Sequence, residues 1–245
     1  MNMTKTRLFI LSIIILATAG LFIFGRQEKK SDNLFLSYIV DAKKVDLQFY
    51  WKDDQQQNFK SIDHLKTWLA KNNKQLLFAM NGGMYKQDNS PQGLFIENKK
   101  MMVPLDTSSG NGNFYLKPNG VFYITTANAP VICNTPNFRN DGEIKYATQS
   151  GPMLVIDGEI NSVFKINSAN TNIRNGVGIL PDNNIIFVMS KKEINFYDFA
   201  NYFKKAGCKN ALYLDGFVSR TYLPEQYWEQ TDGNFGVIIG TTIDK

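Results

Sequence analysis

Residues 210–219 read NALYLDGFVS, a short apolar run that ends in an acid and a glycine. The run from Ala211 to Leu214 predicts a buried β-strand. A carboxylate at the end of a buried strand, followed by a residue free to take unusual backbone angles, is a common way to present one acid at a cleft. An Asp-Gly turn inside a hairpin gives the same pattern. Asp215 is therefore a candidate site residue whose role depends on the rest of the chain.

Short apolar runs bounded by turn-forming residues recur along the chain, as is typical of β-strands. The predicted strands are residues 34–40, 45–51, 75–80, 93–97, 100–103, 113–117, 121–125, 146–149, 153–156, 175–180, 184–190 and 235–240. Residues 41–44 predict a hairpin turn between the first two strands. Further turns are predicted at residues 117–120, 157–158 and 181–183.

Two segments instead show the three- and four-residue spacing of an amphipathic helix. The first follows Ser61, a good N-cap, and runs to about Lys71; the second begins near Asn195 and stops at Gly207. Their apolar faces consist of Ile62, Leu65, Trp68 and Leu69 in the first helix and Phe196, Phe199, Ala200 and Phe203 in the second. Many strands with only two main helices, and no regular βαβ alternation, predict an α+β fold built on mixed or antiparallel sheets.

The N-terminus carries an uncharged, almost wholly apolar run of 18 residues, 8–25, with Lys5 and Arg7 before it and basic residues after it. A helix of this length spans about 27 Å, just enough for a bilayer core. An uncleaved anchor and a cleaved signal peptide both fit, because residues 17–19 match the small-x-small cleavage pattern. The apolar run continues past that site to Phe24, which favours the anchor.

Residues 1–30, a transmembrane or signal helix with a short tether, are thus predicted to precede one globular domain, residues 31–245. We expect this domain outside the cytoplasm, in the periplasm or cell envelope of a bacterium, anchored in the membrane through residues 8–25 or secreted after cleavage. The domain keeps 22 of the 27 basic and 21 of the 22 acidic side chains. Such a balance lacks the basic footprint of nucleic-acid binding, so no nucleic-acid partner is predicted.

Cysteine and histidine are scarce. Cys133 and Cys208 would be able to pair in an oxidising compartment, and two buried thiols fit the sequence at least as well. His64 is the single histidine and borders the apolar stripe of the first predicted helix, which is typical of a surface residue. Neither a metal nor another cofactor is predicted, and acids in loops give a divalent cation no support.

Four polar, glycine-containing segments lie where predicted strands begin or end. They are Asn81-Gly82-Gly83, Gln149-Ser150-Gly151-Pro152, Arg174-Asn175-Gly176-Val177-Gly178 and Asp215-Gly216. Glycines beside polar residues let backbone N–H groups approach a ligand, notably an anion, and an arginine fork can clamp a phosphate. Each segment alone is typical of a turn, so the prediction of a site rests on the set.

With Gln92-Gly93-Leu94, Leu154-Val155, Asp157-Gly158, Leu214 and Ser219, this ordered set resembles the phosphodiester glycosidase domain. The family includes the animal uncovering enzyme, which removes N-acetylglucosamine from a phosphodiester on lysosomal glycoproteins, and its bacterial relatives are commonly exported. The resemblance runs from about residue 78 to residue 219. It implies hydrolysis of a sugar-1-phosphodiester, with a carbohydrate or sugar-phosphate as the substrate.

The resemblance also implies which residues form the site. Asn81, Arg174 and Asp215 would be catalytic. The predicted substrate-binding residues are Gly82, Gly83, Gln149, Ser150, Gly151, Asn175, Gly216, Ser219 and Arg220. A phosphodiester leaves as a stable anion, so one carboxylate and one arginine would suffice where ordinary glycosidases use two carboxylates. Asp215 would act as nucleophile, as the base that activates water, or by orienting an N-acetyl group of the sugar. Arg174 would hold the phosphate and Asn81 would orient oxygens.

One departure from the family pattern bears on activity. Phe217 and Val218 stand where the family often has two further glycines, and Arg220 follows Ser219. Side chains there would obstruct close backbone approach to a ligand, which implies a different substrate, with Arg220 supplying charge, or altered or lost activity. The alternative function is that of a non-catalytic protein that binds glycans or other envelope polymers.

Overall fold

The computed structural model describes residues 34–245, so the predicted N-terminal helix and its tether lie outside the described residues. None of the helices between residues 34 and 245 has the length and hydropathy that a membrane crossing requires. The helices are α1 (Ile62–Lys71) and α2 (Phe196–Lys205). The strands are β1 (Phe35–Val40), β2 (Asp46–Tyr50), β3 (Lys74–Asn81), β4 (Phe95–Glu97), β5 (Lys100–Val103), β6 (Gly120–Thr125), β7 (Pro130–Asn134), β8 (Ile144–Ser150), β9 (Met153–Ile156), β10 (Glu159–Ile160), β11 (Asn175–Ile179), β12 (Ile185–Ser190), β13 (Ala211–Asp215), β14 (Thr221–Leu223), β15 (Trp228–Glu229) and β16 (Ile238–Asp244).

The strands form three sheets, and every strand pairing in them is antiparallel. The first sheet has the order β1-β12-β11-β13-β9-β10, the second β15-β14-β3-β16-β2 and the third β5-β4-β8-β6-β7. Three antiparallel sheets with two helices confirm the predicted α+β class. Strand β13, which ends at Asp215, lies inside the first sheet between β11 and β9.

Two local predictions are wrong. β1 and β2 do not form a hairpin, because β1 pairs with β12 and β2 pairs with β16, in different sheets. This separation lets each strand bury its own apolar side chains, Leu36 in β1 and Phe49 in β2, against a long partner strand. The predicted strand at 113–117 is a 3-10 turn, Asn113–Tyr115, which buries Phe114 and leaves the chain free to curve towards β6.

Both helices begin and end as their sequences predict. The Ser61 hydroxyl accepts a hydrogen bond from the backbone N–H of His64, and the Asn195 side chain accepts one from the N–H of Asp198. Such caps satisfy backbone donors that a helix leaves unpaired at its N-terminus. Beyond α2, Gly207 takes a φ of 85°, which favours glycine. The predicted apolar faces of both helices are buried, with Trp68 half-buried.

The three sheets share one core. Phe78 of the second sheet packs against Phe187 of the first at a ring-centroid distance of 5.1 Å. Phe122 of the third sheet lies 6.0 Å from Phe187 and 5.5 Å from Phe49. Because strands from all three sheets converge on these rings, the ends of β3, β8, β11 and β13 lie near one another. The functional candidates lie at those ends.

Both cysteines are free thiols in the structure. Cys208 is buried in the cluster that α2 forms with the first sheet, and Cys133 lies half-buried on β7. Burial raises the pKa of Cys208 to about 12 and that of Cys133 to about 11. Thiols with such raised pKa values are poor nucleophiles at neutral pH, so neither is a candidate for catalysis.

Candidate active site

One asparagine joins three strand ends at the candidate site. The Asn175 amide, at the start of β11, donates hydrogen bonds to the Asn81 carbonyl at 3.0 Å and to Asn81 Oδ1 at 2.8 Å. Its own Oδ1 accepts the backbone N–H of Asp215 at 2.8 Å. Asn175 is fully buried, and its three hydrogen bonds connect β3 of the second sheet with β13 of the first. The structure thus brings together Asn81, Asn175 and Asp215, which are far apart in sequence.

The orientation of the Asn81 amide is fixed by its neighbours. Its Oδ1 accepts both the Asn175 amide and the backbone N–H of Arg220, the latter at 2.9 Å. A backbone N–H can only donate, so the atom it meets must be the amide oxygen. The remaining atom, Nδ2, is buried and has no hydrogen-bond partner among residues 34–245. An unsatisfied buried donor costs about 1–3 kcal/mol, and in a native protein it calls for a functional or ligand-based explanation.

The Asp215 carboxyl lies beside this unpaired donor. Its Oδ1 accepts the backbone N–H groups of Gly216 at 2.6 Å and of Phe217 at 3.3 Å. Burial raises the pKa of Asp215 to about 6, although the two N–H groups and the nearby Asn81 amide lower it. Asn81 Nδ2 lies close enough to polarise the carboxylate without meeting hydrogen-bond geometry. A carboxyl with this pKa is ionised at neutral pH and poised for proton transfer or attack.

The turn that carries Asp215 is held on both sides. The Ser150 hydroxyl donates to the Leu214 carbonyl at 2.8 Å, at the end of β13. The Ser219 hydroxyl lies 3.1 Å from the Asp215 carbonyl and 3.2 Å from that of Ile173, and it donates to these oxygens. Gly216 lies directly over Tyr213, since a Cβ at position 216 would lie 1.7 Å from the Tyr213 hydroxyl oxygen. These contacts fix the carboxyl position through the backbone.

Asp215 opens into a pocket of about 380 Å³. The residues that line the pocket include Met84, Tyr85, Lys86, Gln92, Asn111, Asn113, Tyr115, Asp215, Phe217 and Val218. Asp215 is the single acid and Lys86 the single base among the lining residues that the structure describes. The pKa of Tyr85 is raised by burial and by the charge of Asp215, which places this phenol within the field of the carboxylate.

Sequence reasoning missed Tyr85, Lys86 and Tyr115 as pocket residues. Tyr85 and Lys86 follow closely on Asn81-Gly82-Gly83. This proximity to the motif was the one signal in the sequence that pointed to them as pocket residues. Tyr115 belongs to the segment that was predicted as a strand, and its hydroxyl contacts Gln92 at 3.0 Å and Asp106 at 3.3 Å. These contacts join the 3-10 turn at residues 113–115 to the pocket wall.

Arg174 lies beneath the site and not in the pocket lining. It is 0 % exposed, and its guanidinium donates to the carbonyl of Ile194 at 2.7 Å, to the Tyr213 hydroxyl at 3.1 Å and to Asn170 oxygens at 2.9 and 3.1 Å. It also lies 3.7 Å above the Phe196 ring. Burial lowers the pKa of Arg174, and Tyr213 opposes that shift. In this conformation Arg174 supports Tyr213, and a direct phosphate contact stays a prediction.

Other predicted binding residues are engaged with the protein itself. Gln149 Oε1 accepts the N–H groups of Leu94 and Asp106 at 3.0 and 2.9 Å, so Gln149 fastens the segment that leads to the 3-10 turn. Arg220 forms a bidentate ion pair with Asp232, at 2.7 and 2.9 Å. Their contacts with substrate stay predictions. The Arg220 backbone contributes to the site through its bond to Asn81.

The glycines predicted to shape the pocket allow close packing of strand ends. A Cβ at Gly82 would lie 2.6 Å from the Ile239 side chain, and one at Gly83 would lie 2.8 Å from the Thr148 hydroxyl. At Gly151 it would lie 2.6 Å from Asn119 Cβ. A side chain at any of these positions would displace these neighbours. Among residues 34–245 no cluster of histidine, cysteine and acidic side chains is arranged to hold a metal ion.

Comparisons with known proteins identify a matching family and relatives of this chain. Residues 74–237 match the family model described as phosphodiester glycosidase. The uncharacterized protein YigE of Escherichia coli (strain K12) is 40% identical over 190 residues, which cover 76% of this chain and 73% of YigE.

Two solved structures share the fold. One is the zebrafish N-acetylglucosamine-1-phosphodiester alpha-N-acetylglucosaminidase catalytic domain, auto-inhibited by its pro-peptide, with a TM-score of 0.54, 13% identity, and coverage of 85% of this chain and 88% of that one. A hypothetical protein from Synechocystis has a TM-score of 0.53 and 13% identity, with 85% and 59% coverage.

Proposed function

Because the chain belongs to the phosphodiester glycosidase family, we propose that it hydrolyses the bond between the anomeric carbon of a sugar and the phosphate of a phosphodiester. The observation that carries this proposal is the pairing of a buried carboxyl, Asp215, with an unpaired buried donor, Asn81 Nδ2. Asp215 lines a pocket whose lining, among residues 34–245, holds no other acid and one cation, Lys86. A glycosidase that works with one carboxylate, instead of the usual two, needs such a site.

The chemistry requires only one carboxylate. Ordinary glycosidases use a second carboxyl group to protonate a poor leaving group. Here the bond between the anomeric carbon and the bridging oxygen breaks, and the electron pair leaves with a phosphomonoester, which is already a stable anion. Asp215 either attacks the anomeric carbon or removes a proton from the water that attacks it. In both cases the water oxygen ends on the sugar, and one water proton passes to solvent.

Lys86 supplies the charge that a phosphodiester anion needs at the pocket. Arg220 is neutralised by Asp232, and Arg174 is enclosed beneath Tyr213, whereas Lys86 is exposed and forms no ion pair among residues 34–245. A lysine acts on phosphate as a compact point charge. Arg174 contributes by holding Tyr213, and through it the Gly216 backbone, in place under the carboxyl.

Asn81 stabilises the reacting oxygens. Its Nδ2 is oriented before substrate binds, because both hydrogen bonds to Oδ1 are made within the protein. A preorganised donor of this kind stabilises developing negative charge without reorganising during the reaction. The oxygens that it stabilises are those of the Asp215 carboxylate, whose pKa the Asn81 amide lowers.

The place of action follows from the sequence and belongs to the same proposal. We propose that residues 8–25 hold the domain at a bacterial membrane, on the side away from the cytoplasm, where it acts on an envelope or extracellular glycan.

The test uses a panel of sugar-1-phosphodiesters that includes UDP-N-acetylglucosamine, with the wild type beside Asp215→Asn. We expect the wild type to release free sugar and the variant to release none. If the wild type and Asp215→Asn bind a member of the panel equally well and neither releases sugar, the protein is instead a glycan-binding protein.

A further inference from the structure

Phe217 is exposed at the mouth of the Asp215 pocket. It is 93% accessible, although it lines the same pocket as the buried carboxyl. Single exposed apolar residues are common on protein surfaces, but Phe217 shares its pocket lining with Met84 and Val218, and apolar side chains grouped in this way mark binding surfaces. We therefore expect a ligand bound in the pocket to cover the Phe217 ring.

The backbone holds this side chain in a defined place. The N–H of Phe217 donates to Asp215 Oδ1, and the Ser219 hydroxyl fastens the same turn to Ile173. On the other side, Val218 packs against the cluster that contains Tyr222 and Phe235. Phe217 thus belongs to the turn that positions the carboxyl, and a ligand that reaches Asp215 passes beside its ring.

The pocket lining carries both polar and apolar side chains. Amide and phenol groups include those of Gln92, Asn111 and Tyr115, and the apolar side chains are those of Met84, Phe114, Phe217 and Val218. Sugar hydroxyls match the amides and the phenols. The apolar side chains remain for the group on the far side of the phosphate, beyond Lys86 in the substrate.

We propose that Phe217 is a specificity-determining residue that contacts an apolar aglycone, so that the substrate is an amphiphile: a sugar-1-phosphate esterified to a hydrocarbon group. This inference rests on the proposed function for the bond that is cleaved. What the inference adds is the chemical nature of the aglycone, the group that is esterified to the phosphate on the side away from the sugar.

The expected effect follows from the area that the ring exposes. Moving a phenylalanine side chain from water into apolar contact changes an equilibrium by about 10-fold to 100-fold, and partial coverage puts the expectation near 10-fold. The ratio of kcat/KM between an octyl and a methyl diester of N-acetylglucosamine-1-phosphate measures this preference directly. We expect a ratio of about 10 or more for the wild type and a ratio near 1 for Phe217→Gly.

Tyr227 provides a matched control. It is 97% exposed and is not among the pocket residues, and its φ of 56° suits glycine. Tyr227→Gly should keep the wild-type ratio. An unchanged ratio in Phe217→Gly, or a wild-type ratio near 1, would overturn the proposal.

A binding measurement separates this proposal from the proposed function. Calorimetric titration of the full chain with octyl phosphate and with methyl phosphate needs no turnover. Tighter binding of octyl phosphate by the wild type, lost in Phe217→Gly, supports the apolar contact even if neither diester is hydrolysed. Equal binding of both phosphates by the wild type overturns it even if both diesters are hydrolysed.

Discussion

Replacing Asp215 with asparagine should make the protein more stable at neutral pH while removing its activity. Asparagine keeps an oxygen that accepts the N–H groups of Gly216 and Phe217, so the substitution removes the charge and retains those hydrogen bonds. The substitution removes an ionised carboxylate that is buried, only 7% exposed, and forms no ion pair with any of residues 34–245. Active sites often keep such a group at the expense of stability.

The magnitude follows from the pKa. Burial raises the pKa of Asp215 from 3.8 to about 6. The native state therefore holds this proton more tightly than the unfolded chain, and stability falls as pH rises between these values. Above the native pKa, the raised pKa lowers the free energy of unfolding by its full amount. At 1.36 kcal/mol per pKa unit, this amount is about 3 kcal/mol. Below the unfolded pKa both states are protonated, and the difference vanishes.

Urea unfolding, followed by tryptophan fluorescence, measures this difference. At pH 7.5 we expect Asp215→Asn to unfold with a free energy about 3 kcal/mol above the wild type, and at pH 4 the two should agree within about 1 kcal/mol. Asp244→Asn, at an exposed acid near the C-terminus, is the control and should match the wild type at both pH values. Equal stability of Asp215→Asn and wild type at pH 7.5, or a variant that is weaker at both, would refute the burial argument.

Three further predictions address the pocket and its support. In steady-state kinetics, Lys86→Met should raise KM for a sugar-1-phosphodiester about 10-fold and leave turnover of an uncharged aryl glycoside unchanged. Equal losses of activity on the two substrates would contradict a role of Lys86 in phosphate binding. For the wild type, kcat/KM should fall about tenfold per pH unit below about pH 6, where Asp215 takes up its proton; a flat profile would contradict this. Gly216→Ala should lower the melting temperature, because its Cβ meets the Tyr213 hydroxyl, and adding Tyr213→Phe should restore part of the loss; no recovery would place the strain elsewhere.

Features encoded within a few neighbouring residues were predictable from the sequence. The apolar run from Ala211 to Leu214 and the acid behind it predicted a strand end, and β13 ends at Asp215. Ser61 predicted the start of α1 for the same reason, because a helix cap uses only the next three residues. β7 was missed, since Pro130 and Asn134 at its ends resemble a loop.

Features that depend on distant partners were not predictable. The pairing of β1 with β12 joins Phe35 to Ser190, and no local pattern in β1 specifies that partner. Arg174 beside an asparagine and a glycine resembles an exposed anion site, yet the Phe196 and Tyr213 rings that enclose it come from later elements. Pairings of this kind are fixed by the whole core.

The bridging role of Asn175 was likewise invisible in the sequence. Its amide holds Asn81 and Asp215 together across two sheets, and its spacing from each carries no motif. The unpaired Nδ2 of Asn81 follows from the same tertiary contacts, because those contacts occupy the amide oxygen. The sequence therefore indicated Asn81, Asn175 and Asp215, which the structure brings together, whereas the pocket residues Tyr85, Lys86 and Tyr115 required the structure.

The central claim is that water attacks the sugar and not the phosphorus. Hydrolysis of a sugar-1-phosphodiester in water enriched in oxygen-18, followed by mass spectrometry of both products, tests this claim directly. The account predicts that the heavy oxygen appears in the anomeric hydroxyl of the released sugar and that the phosphomonoester stays unlabelled. Heavy oxygen in the phosphate product would show cleavage of a phosphorus–oxygen bond and would contradict the role assigned to Asp215.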